Sequence, residues 1–283
     1  MLFWRKKARP RSRLPMTSEA FAPAKINLSL HVTGQRGDGY HLLDSIVMFA
    51  DVGDRLWFSP AKDMAISVTG PFADGVPVDR RNLVWQASEL AGFHGTIRLE
   101  KNLPHGAGIG GGSSDAAAVL RHCGYAGDGA ALGADVPVCK AAKAQRMLGI
   151  GEVLTPLSGW PALHAVLVNP GVEIATPDVF KALTQKDNPE ISADPMDFST
   201  AEDVIAFLQD QRNDLEAPAQ SVAPVITSVL TALKGLPQCR LARMSGSGAT
   251  CFALMDTAQD AASAAQTIAA AQPEWWVRPC VLS

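Results

Sequence analysis

Between Gly106 and Ala117 the chain reads GAGIGGGSSDAA. Glycines at 106, 108, 110, 111 and 112 precede Ser113, Ser114, Asp115 and a run of alanines. Glycine loses more freedom on ordering than any other residue, so such a cluster answers a geometric need. Bare backbone lets an anion approach the N–H groups. A helix starting in the alanine run would aim its first amides and its dipole at the same place. Ser113, Ser114 or Asp115 is the expected cap of that helix. Asp115 would repel a bound anion unless a divalent cation lay between them, which suits a Mg2+-nucleotide. The plainer alternative is a flexible surface loop.

Familiar phosphate and hydrolase motifs do not account for this stretch. Gly106, Gly108 and Gly111 make a G-x-G-x-x-G, but a dinucleotide site needs a buried parallel strand running straight into the first glycine. Here the preceding stretch alternates, and Pro104 and His105 intervene. No Lys-Ser/Thr pair follows the glycines, and G-x-S-x-G and the protein-kinase motifs are absent.

The elements that would hold the loop can be read from periodicity. AKINLSLHV alternates Ile26, Leu28, Leu30 and Val32 with Lys25, Asn27, Ser29 and His31, the pattern of a half-buried strand. GQRGDGY is a glycine-rich turn, and residues 40–58 continue as strand. RNLVWQASELAGF reads as a helix burying Leu83, Ala87 and Leu90, and GTIRLEKNLP as a strand closed by Pro104. A strand is expected around HAVLVNPG and helices around 177–184, 201–209 and 220–234. CRLARMSGSGATCFALM gives two strands joined by a second Ser/Gly turn. A change of domain near 155–160 divides the chain into 21–157 and 158–283.

Composition bounds the function. The 283 residues are 47% hydrophobic and 19% charged, enough for one large or two ordinary domains. Residues 1–15 carry six Lys and Arg and no acid. They lack the apolar centre of a secretory signal and read, through residue 20, as a basic disordered tail. Met16 is a second candidate start. Beyond residue 15, 19 Lys and Arg face 28 Asp and Glu, a net charge of −9 that disfavours nucleic acid as a partner. No apolar run is long enough for a membrane helix. Five cysteines without a CxxC pair, and no secretory signal, suggest reduced thiols and a cytoplasmic protein. The histidines show no zinc-site spacing.

With these residues in view, the chain resembles the GHMP small-molecule kinases. PAKINLSLHVTGQRGDGYHLLDSIV is similar to their first signature, PHGAGIGGGSSDAA to their second and MSGSGATCFAL to their third. RNLVWQA, LGADVPV, GIGEVLTPL, NPGVEIATPDVF and NDLE narrow the resemblance to the branch whose acceptor alcohol carries a cytidyl diphosphate, in the non-mevalonate isoprenoid pathway. The ordered match runs from about residue 21 to the end.

The resemblance implies a two-domain α+β fold. An N-terminal domain like ribosomal protein S5 domain 2 and a ferredoxin-like C-terminal domain would enclose the active site in a cleft. It implies ATP as donor, Mg2+ as cofactor, transfer to the acceptor's 2-hydroxyl, and a monomer or homodimer. Lys25 and Asp135 match the catalytic pair. Pro104, His105, Gly106, Ala107, Gly108, Ile109, Gly110, Gly111, Gly112, Ser113 and Ser114 match the ATP loop, and Asn82 its adenine pocket. Asn27, Tyr40, His41, Thr176, Pro177, Phe180, Ser247 and Gly248 match the acceptor site, with Tyr40 and Phe180 as two plates around the cytosine and His41 at the base edge. Ser114 and Asp115 are the candidate Mg2+ ligands.

Plainer roles compete with several of these. Asp135 also suits a helix cap before Pro137, Lys25 a solvated strand lysine, Ser247 a tight turn, and Tyr40 and Phe180 half-buried core. The segment between the two serines and Asp135 is shorter than the family's, broken by Gly124, Gly127 and Gly129. Cys139 replaces an aromatic residue, a repacked core position. Two other readings remain: a GHMP kinase acting on homoserine, mevalonate or a sugar, and a nucleotide-binding relative without turnover.

Overall fold

The computed structural model describes residues 17–191 and 198–283. Most of the expected basic tail therefore lies outside the described residues. Its last three positions correct the expectation: Ser18, Glu19 and Ala20 already pair with Phe58, Trp57 and Leu56.

Two long strands carry the first half. β1 (Ser18–Gln35) and β2 (His41–Pro60) form an antiparallel pair across the Gly37–Gly39 turn. β2 then pairs with β4 (Gly95–Glu100) through its outer half and with β5 (Gln145–Gly149) through its inner half. β3 (Ala65–Thr69) lies parallel to β4, and β6 (Val153–Pro156) forms a hairpin with β5. In the second half β7 (Leu163–Asn169) sits between β9 (Cys251–Met255) and β10 (Trp276–Leu282), with β8 (Leu241–Met244) outside β9. The two sets meet where Leu282 pairs with Ala50.

Helices cover both sets. α1 (Leu83–Ala91), α2 (Gly111–His122) and α3 (Val136–Ala141) pack in one core with Phe58, Ile97 and Leu99. Ala116, Ala117 and Ala118 are all fully buried, because methyl-sized side chains let α2 lie close to its neighbours on several faces. α4 (Thr176–Ala182), α6 (Glu216–Val222), α7 (Val225–Lys234) and α8 (Ala258–Ala271) share a second core with β7 and β9, and α5 (Ala201–Gln209) a third.

Three expectations need correction. The polar face of β1 is not solvated: Lys25, Asn27, Ser29 and His31 are each at most 4% exposed. The second half covers part of this face, where Leu30 exchanges backbone hydrogen bonds with Arg212 and Asp214, and Lys25 is met by Asp135 and the glycine loop. Leu90 is 38% exposed, because α1 turns Val84, Ala87 and Ser88 inward instead. The helix expected over 220–234 is two, divided at Ala223–Pro224, since proline cannot continue the ladder.

Candidate active site

The glycine loop ends in the left-handed region, with Gly110 at φ +65° as the residue before α2. α2 starts one residue later, at Gly111, and has no side-chain cap. Ser113, Ser114 and Asp115 are thus inside the helix, correcting the expectation that one of them caps it. With no capping side chain, the first amides of α2 are left for a ligand. Gly106 and Gly108 also have positive φ, 53° and 70°.

The loop is braced from behind by the second Ser/Gly turn. Ser245 Oγ donates to Gly108 O at 3.0 Å and Thr250 N to Ala107 O at 3.1 Å. A Cβ on Gly108 would fall 2.5 Å from Ser245 O, so only glycine permits this contact. Asn27 N donates to Ser245 Oγ, and Lys25 N to Ile109 O at 2.9 Å. Both glycine turns and β1 are therefore one rigid assembly around a cleft of about 770 Å³.

Lys25 reaches the same cleft from β1. Its Nζ lies 2.8 Å from Asp135 Oδ1, with the lysine side chain 6% and the aspartate 38% exposed. Asp135 does occupy the residue before α3, yet its side chain caps nothing. The pairing with Lys25 takes its place. Behind them Cys139 is fully buried and its thiol is pushed up to about 12 by burial, then by Asp135, so it is not a nucleophile.

Around this pair the cleft is lined by loop residues 104–108 and 110–113, by Asn27 and Asn82, and by Thr176, Phe180 and Ser247. Ile109 and Ser114 are buried behind the loop. Asn82 caps α1 by accepting from Val84 N at 2.8 Å. Ser247 and Thr176 hydroxyls meet at 2.8 Å, joining the second turn to α4, while Pro177 and Gly248 stand outside the lining. Asn27 Oδ1 is buried with no partner.

The expected aromatic sandwich is rearranged. Tyr40 is 59% exposed and lines no part of the cleft; it stands at the base of the turn, where its carbonyl accepts from Arg36 N, just before β2 begins. His41 instead stacks on Phe180, centroids 4.5 Å apart and planes at 19°. Its Nε2 is buried without a hydrogen-bond partner, and His41 reaches the cleft only through Phe180, standing outside the lining itself.

Lys101 is a cleft-lining residue that the sequence reading missed; only its place five residues before Gly106 hinted at it. Its ammonium bridges the carboxylates of Asp54 and Asp115, the latter at 2.7 Å. Burial pushes the Asp115 carboxyl up from the ordinary carboxylate range, and the Lys101 charge opposes that shift. The cation that Asp115 requires is thus a lysine. Ser114 Oγ donates to Pro23 O at 2.7 Å and is fully buried. Ser114 and Asp115 do not fit Mg2+ as a ligand pair, and among the described residues no set of three or more His, Cys, Asp or Glu is gathered for a metal.

Residues 81–145 match the model of the GHMP kinases N terminal domain and residues 189–274 that of the GHMP kinases C terminal. The chain belongs to the GHMP kinase family. This kinase is 59% identical to the 4-diphosphocytidyl-2-C-methyl-D-erythritol kinase of Dinoroseobacter shibae, over 93% of its own length and 94% of the relative's. It is 51% identical to the Paracoccus denitrificans protein of the same name, covering 93% and 96%. A crystal structure of 4-(cytidine 5'-diphospho)-2C-methyl-D-erythritol kinase superposes with a TM-score of 0.73 at 31% identity, covering 94% of this kinase and 99% of that chain. A homoserine kinase from Cytophaga hutchinsonii (TM-score 0.64, 16% identity) shares the fold. The α+β kinase fold expected from the signatures is the one present, and the family takes its phosphoryl group from ATP.

Proposed function

We propose that this kinase transfers the γ-phosphoryl group of ATP to the 2-hydroxyl of 4-diphosphocytidyl-2-C-methyl-D-erythritol, in the non-mevalonate route to isopentenyl diphosphate. The observation that carries the chemistry is the Lys25–Asp135 pair, 2.8 Å apart between the glycine loop and the α4 wall. Asp135 takes the proton of the acceptor hydroxyl as its oxygen attacks Pγ and the bond from Pγ to the bridging oxygen breaks, releasing ADP. Lys25 stabilises the charge developing on the attacking oxygen. The amides of Gly111 to Ser113 hold the polyphosphate, and Asn82 closes the adenine end. Asn27 Oδ1 and His41 Nε2, both buried and unpartnered, are the polar groups assigned to the acceptor: one to its hydroxyls, the other to the cytosine edge, with Phe180 as the plate.

The assignment extends to two units divided near 157/158 and to a small-molecule enzyme of the cytoplasm. No described helix is long and apolar enough to cross a membrane. Any Mg2+ would be held through the phosphates of the nucleotide, with no ligand assigned in Ser114 or Asp115. The deciding experiment is ADP release with ATP and a panel of alcohols: the cytidyl substrate, homoserine, mevalonate and a sugar. Turnover on the cytidyl compound alone is expected. Preference for another alcohol, or no ADP with any, would reject the assignment.

A further inference from the structure

The transfer chemistry above leaves unused a buried charged cluster in the wall of the cleft. Lys101, Asp54 and Asp115 are each at most 4% exposed, and they come from three elements: the end of β4, β2 and α2. Both carboxylates accept from the Lys101 ammonium. Asp54 uses its second oxygen to accept from the amides of Asn102 (2.5 Å) and Leu103 (2.9 Å), the residues that lead into the glycine loop at Pro104. The second oxygen of Asp115 is buried with no partner. A Cβ on Gly111 would lie 3.6 Å from Lys101 Nζ, so the ammonium sits directly against the first turn of α2.

Two carboxylates beside a place that receives a polyphosphate are unfavourable by charge alone. Their geometry serves another end. A lysine side chain has four rotatable bonds and loses much entropy when held in one position. Two buried acceptors on one ammonium fix that position.

We propose that Asp54 and Asp115 are positioning residues for ATP, holding the Lys101 ammonium where it lines the nucleotide end of the cleft. The proposal rests on the kinase reading above. It differs in sign from a simple charge effect: deleting a carboxylate that acts only through its charge tightens ATP binding, whereas deleting one that positions Lys101 weakens it.

The test is calorimetry of ATP binding without acceptor, alongside steady-state kinetics with both substrates. Asp54→Asn, whose single oxygen cannot serve both Lys101 and the Asn102 and Leu103 amides, and Asp115→Ala are each expected to weaken ATP binding about tenfold, the lower range for a hydrogen bond to a charged group. The acceptor KM and kcat at saturating ATP should stay within about twofold. Asp115→Asn, which keeps an acceptor for the ammonium, should restore binding. In a Lys101→Met background neither acidic substitution should weaken ATP further. Unchanged or tighter ATP binding in the acidic variants overturns the proposal, and so does full additivity with Lys101→Met. If Asp54→Asn does not fold, Asp115→Ala decides, because it leaves the Asn102 and Leu103 amides bonded. If Lys101→Met does not fold, the direction of change in the acidic variants decides. Failure of the kinase reading would look different: the wild-type protein would bind no ATP or leave the cytidyl acceptor untouched.

Discussion

Lys25 and Asp135 meet at 2.8 Å, with the lysine buried and the carboxylate half-open to the cleft, the arrangement expected of a base that must reach a substrate. Asp135→Asn keeps shape and removes the proton acceptor. Its kcat should fall about a hundredfold or more while calorimetry shows ATP still bound; near-normal turnover would take Asp135 out of the mechanism. The acceptor end makes a separate prediction. Phe180→Ala removes the ring against which His41 stacks. The KM for the cytidyl substrate should rise about ten- to a hundredfold, the range for losing one base-stacking ring, with the KM for ATP unchanged. A parallel rise in both constants would mean that Phe180 supports the cleft as a whole. Tyr40, exposed where the turn meets β2, lines no part of the cleft.

The glycine loop works as an element because it is clamped between β1, α2 and the second Ser/Gly turn. Gly110 has φ +65°, and a Cβ there would stand 3.3 Å from Lys25 Cβ and 3.5 Å from Cys139 Sγ. Gly110→Val therefore strains the backbone and pushes on the lysine of the Lys25–Asp135 pair. Both ATP affinity and kcat should drop, with far-ultraviolet circular dichroism unchanged. Loss of ATP affinity with an intact kcat would show that the side chain meets only the nucleotide. The alanines of α2 explain how the loop is held so close: any larger residue at 116, 117 or 118 would lift the helix from its buried seat.

The two halves of the molecule are tied together partly through His31. This residue is 1% exposed, with Nδ1 donating to Pro189 O and Nε2 accepting from Arg212 N, both at 3.3 Å. Asn188 N adds a bond to Val32 O, and Ile191 N one to Asp44 Oδ2. Only neutral imidazole can both donate and accept, and burial, then the Arg212 charge, holds the His31 pKa below 6.5. Asp214 and Asp44 oppose that shift. A histidine with a lowered folded pKa binds its proton more readily when unfolded. Its stabilising contribution is full above pH 6.5 and is lost as the pH falls below it. His41 and His122 are lowered by burial as well and act in the same direction. Relative to His31→Gln, the wild-type protein should therefore lose thermal stability between about pH 7.5 and 5.5, with His31 contributing at most about 1.4 kcal/mol per pH unit, while the raised Asp115 carboxyl acts in the opposite sense in both proteins. His31→Gln keeps a donor and an acceptor without titrating, so the difference between the two proteins isolates this histidine. The same pH dependence in wild type and His31→Gln would contradict this account of His31.

Much of the site was written locally. Positive φ at Gly108 and Gly110, the alanine helix behind them and the Ser/Gly turn follow from short-range rules, so the loops were legible in order. Lys25 and Asp135 stood out only through the signatures around them. The sequence also posed a question it could not answer: how an acid at 115 tolerates a neighbouring anion. The answer is Lys101, paired with Asp54 and Asp115 across 47 and 14 residues of chain, separations at which no periodicity is left to read. Burial of both faces of β1 was hidden for the same reason, since its second cover comes from residues near Arg212 and Asp214. Which of Tyr40 and His41 faces Phe180 was settled by the turn at Gly39 and the position of α4. Local pattern determines which groups exist and what each segment becomes. Packing between distant segments determines which charges neutralise one another and which polar atoms are left open for a ligand.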